Sequence, residues 1–290
     1  MTEAPPEALP GEIEYLRLPR PAELFRRRAE RLRELAPGNP MQDLLLALAD
    51  MVGAQRAALP LVRPGSAPGD LPAEVPLRAT RLRRHADWRA GLGALLSGLR
   101  PGAWPAPARA AMGRLAAASP ADLEALADET LSGAPGPGDL AAAPFVAAAL
   151  QVYFASLAAG LPASSVERTR SGCPVCASPP VAGVVLGDDK LRYLACSLCG
   201  SEWNLPRIQC WLCRSTAGIS YLAVEGGPAG VRAEACSSCR AYVKLFYREQ
   251  SPRAEPLADD VATLALDLLA AEEGWARSGV NLFLVGGAEH

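Results

Sequence analysis

Through the first 160 residues, apolar positions recur every three to four residues, the period of helices with one buried face. Residues 21–36 place Leu24, Phe25, Leu32 and Leu35 on one side and arginines on the other. Pro37-Gly38-Asn39-Pro40 ends that run, and residues 41–59 resume it with Leu44, Leu45, Leu48, Met51 and Val52. Helices are predicted again over 82–99, 106–118 and 120–131, the last opened by Ser119-Pro120, a side-chain cap followed by proline at the first helical position. Residues 1–20 are proline-rich and read as extended, and the five prolines between 60 and 77 read as a surface loop. Residues 140–161 run for 22 positions without a charge, long enough to span a bilayer. Nine of them are alanine, and Pro144, Gln151 and Ser156 interrupt the run, so a helix buried in a domain core is expected, without membrane insertion.

Beyond Pro162 the helical period gives way to short β-type runs at 181–186, 191–195, 219–224, 231–235 and 242–247. Turn residues such as Gly226-Gly227-Pro228 separate them. A helical pattern returns over 256–273, with Leu257, Val261, Leu264, Leu268 and Leu269 on its apolar face. The apolar tail 280–285 is expected to dock back on the body.

All eight cysteines lie between Cys173 and Cys239, in four C-x-x-C pairs: Cys173/Cys176, Cys196/Cys199, Cys210/Cys213 and Cys236/Cys239. One tight turn with this spacing presents two sulfurs to one point, and two such turns complete a tetrahedral site. The pairs form an internal repeat, because Arg192-x-x-Ala195-Cys196-Ser197-x-Cys199 matches Arg232-x-x-Ala235-Cys236-Ser237-x-Cys239. Each half reads as a knuckle, a β-hairpin and a second knuckle, the layout of a zinc ribbon or rubredoxin-like module. The repeat favours one metal on Cys173, Cys176, Cys196 and Cys199 and a second on Cys210, Cys213, Cys236 and Cys239; a cross-braced pairing is the alternative. Tetrahedral four-sulfur sites suit zinc or iron, and spacing does not separate the two. Gly200 suits the left-handed conformation expected after a second knuckle cysteine, whereas Ala177, Arg214 and Arg240 hold that place elsewhere. The two arginines are candidates to offset the charge of a four-thiolate site. The fold class is therefore α+β: an all-helical domain at 1–165, tandem metal modules at 166–205 and 206–250, and a C-terminal helix with a docking tail at 251–290.

Composition narrows the chemistry. Histidine occurs only as His85 and His290, too little for mixed Cys/His sites or histidine-based catalysis. No phosphate loop, nucleophile elbow or dinucleotide fingerprint is present, so no catalytic residue is assigned. Residues 171–250 hold eight basic and six acidic side chains, and eight thiolates with two divalent ions leave the module net negative. That balance disfavours nucleic acid, although Trp203, Trp211, Tyr221 and Tyr242 offer stacking faces. His85, the Arg26-Arg27-Arg28 run and Asp259-Asp260 read as solvated or helix-terminal charge. The first residues lack the basic start and apolar core of a signal peptide, so a cytoplasmic setting is expected.

The chain resembles the formate dehydrogenase accessory proteins of the FdhE type. The resemblance rests on Cys173-Pro174-Val175-Cys176, on Arg192-Tyr193-Leu194-x-Cys196-Ser197-x-Cys199-x-x-Glu202-Trp203, on Cys210-x-x-Cys213, and on Glu234-x-Cys236-x-x-Cys239-x-x-Tyr242-x-Lys244. It continues through Asp259-Asp260 and the tail from Gly274 to Leu284, where Asn281-Leu282-Phe283 departs from the family's usual Asn-Pro-Phe. The resemblance implies a non-enzymatic cytoplasmic factor needed to produce active respiratory formate dehydrogenase. It also implies two rubredoxin-like iron sites, in place of zinc, and direct binding to the catalytic subunit before export. The competing reading is a zinc-ribbon adaptor with purely structural metals that serves nucleic acid or its machinery.

Overall fold

The computed structural model describes residues 13–62, 71–169, 172–187 and 189–284. The first part of the extended N-terminus, residues 63–70 of the proline loop and the end of the tail lie outside them. After a short strand β1 (Leu16–Arg17), the helical part comprises α1 (Pro21–Leu35), α2 (Gln42–Ala58), α3 (Asp87–Gly98), α4 (Ala106–Ala117), α5 (Pro120–Ser132) and α6 (Ala143–Ala159). The cap expected at Ser119 is present: its hydroxyl accepts from the Asp122 amide at 3.2 Å. α3 starts at Asp87 instead of 82, because the chain before it is held in another conformation. The Leu77 and Ala79 amides donate to the carbonyls of Val175 and Cys176 at 2.8 and 2.9 Å, which ties this segment to the first cysteine knuckle.

The uncharged run at 140–161 forms the central helix. α6 is buried on every side and packs against α2, α3 and α5, so the expected core helix is what the structure contains. Residues 42–61 are also long and apolar enough to cross a membrane. Their apolar side chains Leu45, Leu48, Met51 and Val52 are buried in the same core.

The β part follows as β2 (Pro180–Leu186), β3 (Leu191–Cys196), β4 (Glu202–Asn204), β5 (Ile219–Leu222), β6 (Val231–Cys236) and β7 (Ala241–Tyr247). α7 (Pro256–Ala262), α8 (Leu264–Glu272), a two-residue strand β8 (Ala276–Arg277) and a 3-10 turn at Leu282–Leu284 complete the chain. The two cysteine halves are not separate beads. They share one sheet of order β1-β4-β3-β2-β7-β6-β5, with β8 beside β7. The halves join where β2 and β7 run parallel, Gly183 opposite Leu245 and Val185 opposite Tyr247. Gly183 permits this seam, since a Cβ there would stand 2.7 Å from Leu245 Cδ2. β1 and β4 have too few residues for a readable alternation, and β4 holds its place by pairing with β3 on one side and β1 on the other.

The single helix expected over 256–273 is broken at Thr263. The Lys244 ammonium, buried under the helix, takes the Asp260 carbonyl at 2.8 Å and the Thr263 hydroxyl at 3.2 Å. A cation on these last carbonyls completes the end of α7 and stops the ladder there. The tail docks as expected: the Asn281 side-chain amide donates to the Asp260 carboxylate at 2.8 Å, and the Leu282 amide to Ser197 Oγ at 2.9 Å.

Candidate metal centres

Hairpin β2–β3 brings the knuckle before it, Cys173–Cys176, against the knuckle after it, Cys196–Cys199. The β5–β6 hairpin does the same for Cys210–Cys213 and Cys236–Cys239. Within each set of four, all sulfurs lie within 4.8 Å of one another, so the sequential grouping is the one the fold makes. The Sγ–Sγ separations are 3.6 Å for Cys173–Cys199, 3.4 Å for Cys176–Cys196, 3.7 Å for Cys210–Cys239 and 3.6 Å for Cys213–Cys236. A tetrahedral ion with metal–sulfur bonds of about 2.3 Å sets its ligands about 3.8 Å apart; these pairs stand slightly inside that spacing and no separation exceeds 4.8 Å, so both donor sets fit such an ion after a small rearrangement.

The knuckles are built alike. The amides of Cys173, Cys196 and Cys210 donate to the carbonyls of Ser178, Ser201 and Ser215 at 2.8–2.9 Å, closing the loop around the sulfurs. The residue after each second cysteine is left-handed: Ala177 at φ +66°, Gly200 at +73°, Arg214 at +66° and Arg240 at +58°. Four knuckles thus share one backbone shape, and only one has the residue that adopts it without strain. Gly200 also needs the space, because a Cβ would stand 2.5 Å from Leu24 Cδ2 on α1. Arg240 does not face its cluster; its guanidinium stacks on Trp275 at 4.0 Å and donates to the Glu273 and Gly274 carbonyls.

Electrostatics prepare both sets for a cation. Burial pushes the Cys173 and Cys199 thiols well above their ordinary range. Burial acts on Cys176 as well, but hydrogen bonds from Cys173, Cys196, Cys199 and Ser178 outweigh it and hold that thiol well below. In the second set burial raises Cys239 to about 12. Cys236 falls to about 7 against its own burial, through the Cys239 and Ser238 amides and the Cys213 thiol. A soft dication bound to either set would displace the protons that burial holds on the raised thiols.

The environments differ. All four cysteines of the first set are buried, whereas in the second Cys213 is exposed and Cys239 half-buried. Helix α6 reaches the first set through Gln151, whose amide donates to the Ser197 carbonyl at 2.8 Å and whose oxygen accepts from Gln55 at 2.7 Å. The same glutamine had read as a mere interruption of an apolar helix. Its position on the buried face of an uncharged run was the signal that a buried partner was required.

The remaining candidates separate clearly. The His85 side chain is exposed, 3.0 Å from Asp87. Arg26 pairs with Glu23 and Glu30 at the surface, but Arg28 is buried against Glu255 at 2.9 Å, which corrects the solvated-face reading for that residue. Burial there is tolerable only because the carboxylate meets it. Asp259 lies in the first turn of α7 as expected and Asp260 follows just beyond it, but both are buried: Asp259 holds Arg31 at 2.6 Å, and Asp260 holds Lys244 at 2.9 Å and Arg277 at 2.6 Å. Trp203, Trp211 and Tyr242 are buried too and present no open face for stacking on a base.

Sequence models of the FdhE family match nearly the whole chain: "FdhE, N-terminal" over residues 13–171, "FdhE, central domain" over 172–207 and "FdhE, C-terminal domain" over 208–284. A Serratia proteamaculans protein named as an FdhE homolog is 40% identical, covering 91% of this chain and 89% of its own. The Pseudomonas aeruginosa FdhE homolog is also 40% identical, over 97% of this chain and 98% of its own. The crystal structure of the FdhE protein from Pseudomonas aeruginosa superposes with a TM-score of 0.82 at 39% identity, covering 93% of this chain and 98% of that one. By these family models, by relatives of 40% identity along most of their length and by this superposition, the chain belongs to the FdhE family.

Proposed function

We propose that the protein is an accessory factor for respiratory formate dehydrogenase, with an iron ion on each four-cysteine cluster and the catalytic subunit as its client in the cytoplasm. Membership of the FdhE family supports the accessory role. The observation that carries the metal reading is the geometry of eight sulfurs gathered into two tetrahedral sets on one sheet. Bound iron in a four-thiolate site supplies a one-electron couple. The chain's own part is to fix the sulfurs with two hairpins, aim knuckle amides at them, and keep water from the first set by burial. It performs no reaction of its own on a small substrate.

The test is purification under anaerobic conditions, with metal analysis and an absorption spectrum, followed by co-purification with the catalytic subunit. Two equivalents of iron with the visible bands of ferric thiolate, and retention of the subunit, are the expected results. Colourless protein that carries only zinc in cells replete with iron overturns the iron assignment. A catalytic subunit that matures normally without the protein overturns the accessory role.

A further inference from the structure

The two clusters have the same ligands and the same turns, but they are mounted differently. The first is locked into the body from four directions. The 75–79 segment binds one knuckle through the Val175 and Cys176 carbonyls. Gln151 of α6 holds the Ser197 carbonyl of the other knuckle, and the tail amide of Leu282 holds the Ser197 hydroxyl. Leu24 of α1 closes over Gly200. Ser178 and Ser201 hydroxyls lie 3.4 and 3.2 Å from the Cys176 and Cys199 sulfurs.

The second cluster is tied mostly to its own hairpin. Ser237 donates to the Gly218 carbonyl at 2.9 Å, and Ser238 reaches Ser215 at 3.1 Å. Its side-chain ties to the chain after α8 are the Trp211 indole on Ser278 at 2.8 Å and the Arg240 guanidinium on the Gly274 carbonyl at 3.1 Å and the Trp275 ring. Ser237 and Ser238 are exposed, and so are Ile208 and Leu212, at 58% and 50%.

Replacement of a thiolate ligand requires an incoming donor to reach the metal while a sulfur swings away. At the first cluster that motion means parting α1, α6 and the tail. At the second it means only a local opening beside Cys213, from the low end of the stability range within one protein. We propose that the clusters have unequal roles: Cys173, Cys176, Cys196 and Cys199 form a permanent site that holds the fold together, and Cys210, Cys213, Cys236 and Cys239 form the exchange site. Metal enters and leaves there, and an incoming chelating or thiolate ligand meets the ion at the exposed Cys213 edge. This inference rests on the reading of both clusters as metal sites, but not on which metal they hold.

The experiment uses full-length protein loaded with zinc, which removes redox chemistry from the readout. A colorimetric zinc chelator, 4-(2-pyridylazo)resorcinol, is added in excess, and N-ethylmaleimide labelling is mapped by mass spectrometry along the time course. One equivalent is expected to leave at least about tenfold faster than the other, as local opening demands. The first labelled peptides should carry Cys210, Cys213, Cys236 and Cys239. A Cys213→Ser variant should lose the fast phase, keep the slow equivalent and keep the wild-type circular dichroism. Release of both equivalents in one phase, first labelling at the Cys173 set, or loss of the slow phase in Cys213→Ser overturns the inequality while leaving the metal reading intact. Protein that takes up no zinc at all overturns the metal reading itself, and the inference with it.

Discussion

Arg192 of β3 reaches across the seam between the two cysteine halves and pairs with Glu234 of β6, both side chains buried at 0% and 2% exposure. The same guanidinium donates to the carbonyls of Leu205, Pro206 and Gln209, the linker that delivers Cys210 to the second cluster. Burial pulls the guanidinium below its ordinary pKa, and Glu234 works against that shift. Arg192→Met removes the cation and strands a buried carboxylate with three carbonyls, a change that costs about 3–5 kcal/mol. For 290 residues the unfolding entropy is about 0.6 kcal/mol per kelvin, so the melting temperature should fall by about 5–8 °C. Glu234→Gln should cost less, because Arg192 keeps its carbonyl acceptors and the new amide oxygen still accepts. The double variant Arg192→Met/Glu234→Leu should recover part of the loss, since an apolar pair leaves no charge stranded. Calorimetry on protein with measured metal content decides the matter. If Arg192→Met melts within about 2 °C of wild type, or if the double variant is less stable than Arg192→Met alone, the pair is not the clamp between the halves.

Three further outcomes follow from named contacts. Gln151→Leu leaves the buried Ser197 carbonyl without its donor, while the Gln55 amide loses one acceptor and keeps the Ala148 carbonyl at 2.9 Å, at a cost of about 1–3 kcal/mol; melting should drop by a few degrees, and zinc should leave the first cluster sooner in the chelator assay. Gly200→Ala meets both a left-handed φ of +73° and the Leu24 methyl at 2.5 Å, so it should destabilise, whereas Ala177→Gly at φ +66° should be neutral or stabilise by up to about 1 kcal/mol, as measured by the urea midpoint. Asp260 is raised by burial but held below the ordinary carboxylate range by Lys244 and Arg277; a depressed folded pKa gives stability that is complete above the unfolded value near 4 and lost as pH falls through the folded value. The stability gap between wild type and Asp260→Asn should therefore be largest at neutral pH and shrink below about pH 4, and a gap independent of pH refutes the pairing argument.

The helical body and both clusters were legible because each rests on a local period. Apolar spacing identifies α1, α2, α4, α5 and α6 nearly to their ends, and the C-x-x-C spacing with its repeat groups the sulfurs as the fold does. What stayed hidden depends on distant partners. Nothing local in residues 82–86 disfavours a helix; the hydrogen bonds of Leu77 and Ala79 to the first knuckle set that segment's course. Nothing local in 256–273 marks Thr263 as a break; Lys244, arriving from β7, does. Arg28, Asp259 and Asp260 read as solvated or helix-terminal charge because a charged residue is usually exposed, and nothing in the repeat marks Arg192 as buried. In this chain each one's partner is supplied by a different element, too far along the sequence for any local pattern to pair them.

Those buried charges also join the helical body to the sheet that carries both four-cysteine clusters. Arg28–Glu255 and Arg31–Asp259 bind α1 to α7, while Lys244 and Arg277 bind α7 to β7 and β8 through Asp260. The helical domain, the sheet and the C-terminal helices are thereby fixed in one register around the first cluster, whose knuckles they also touch. The second cluster lies outside that frame at the free end of the sheet, beside β5 and β6. A metal placed there can open without loosening the body. The seam between β2 and β7 joins the halves, and each has its own cover: α6 reaches the first cluster through Gln151, whereas α8 packs on β6 and β7 of the second half and leaves Cys213 exposed, the difference on which the proposed division between a fixed and an exchanging site rests.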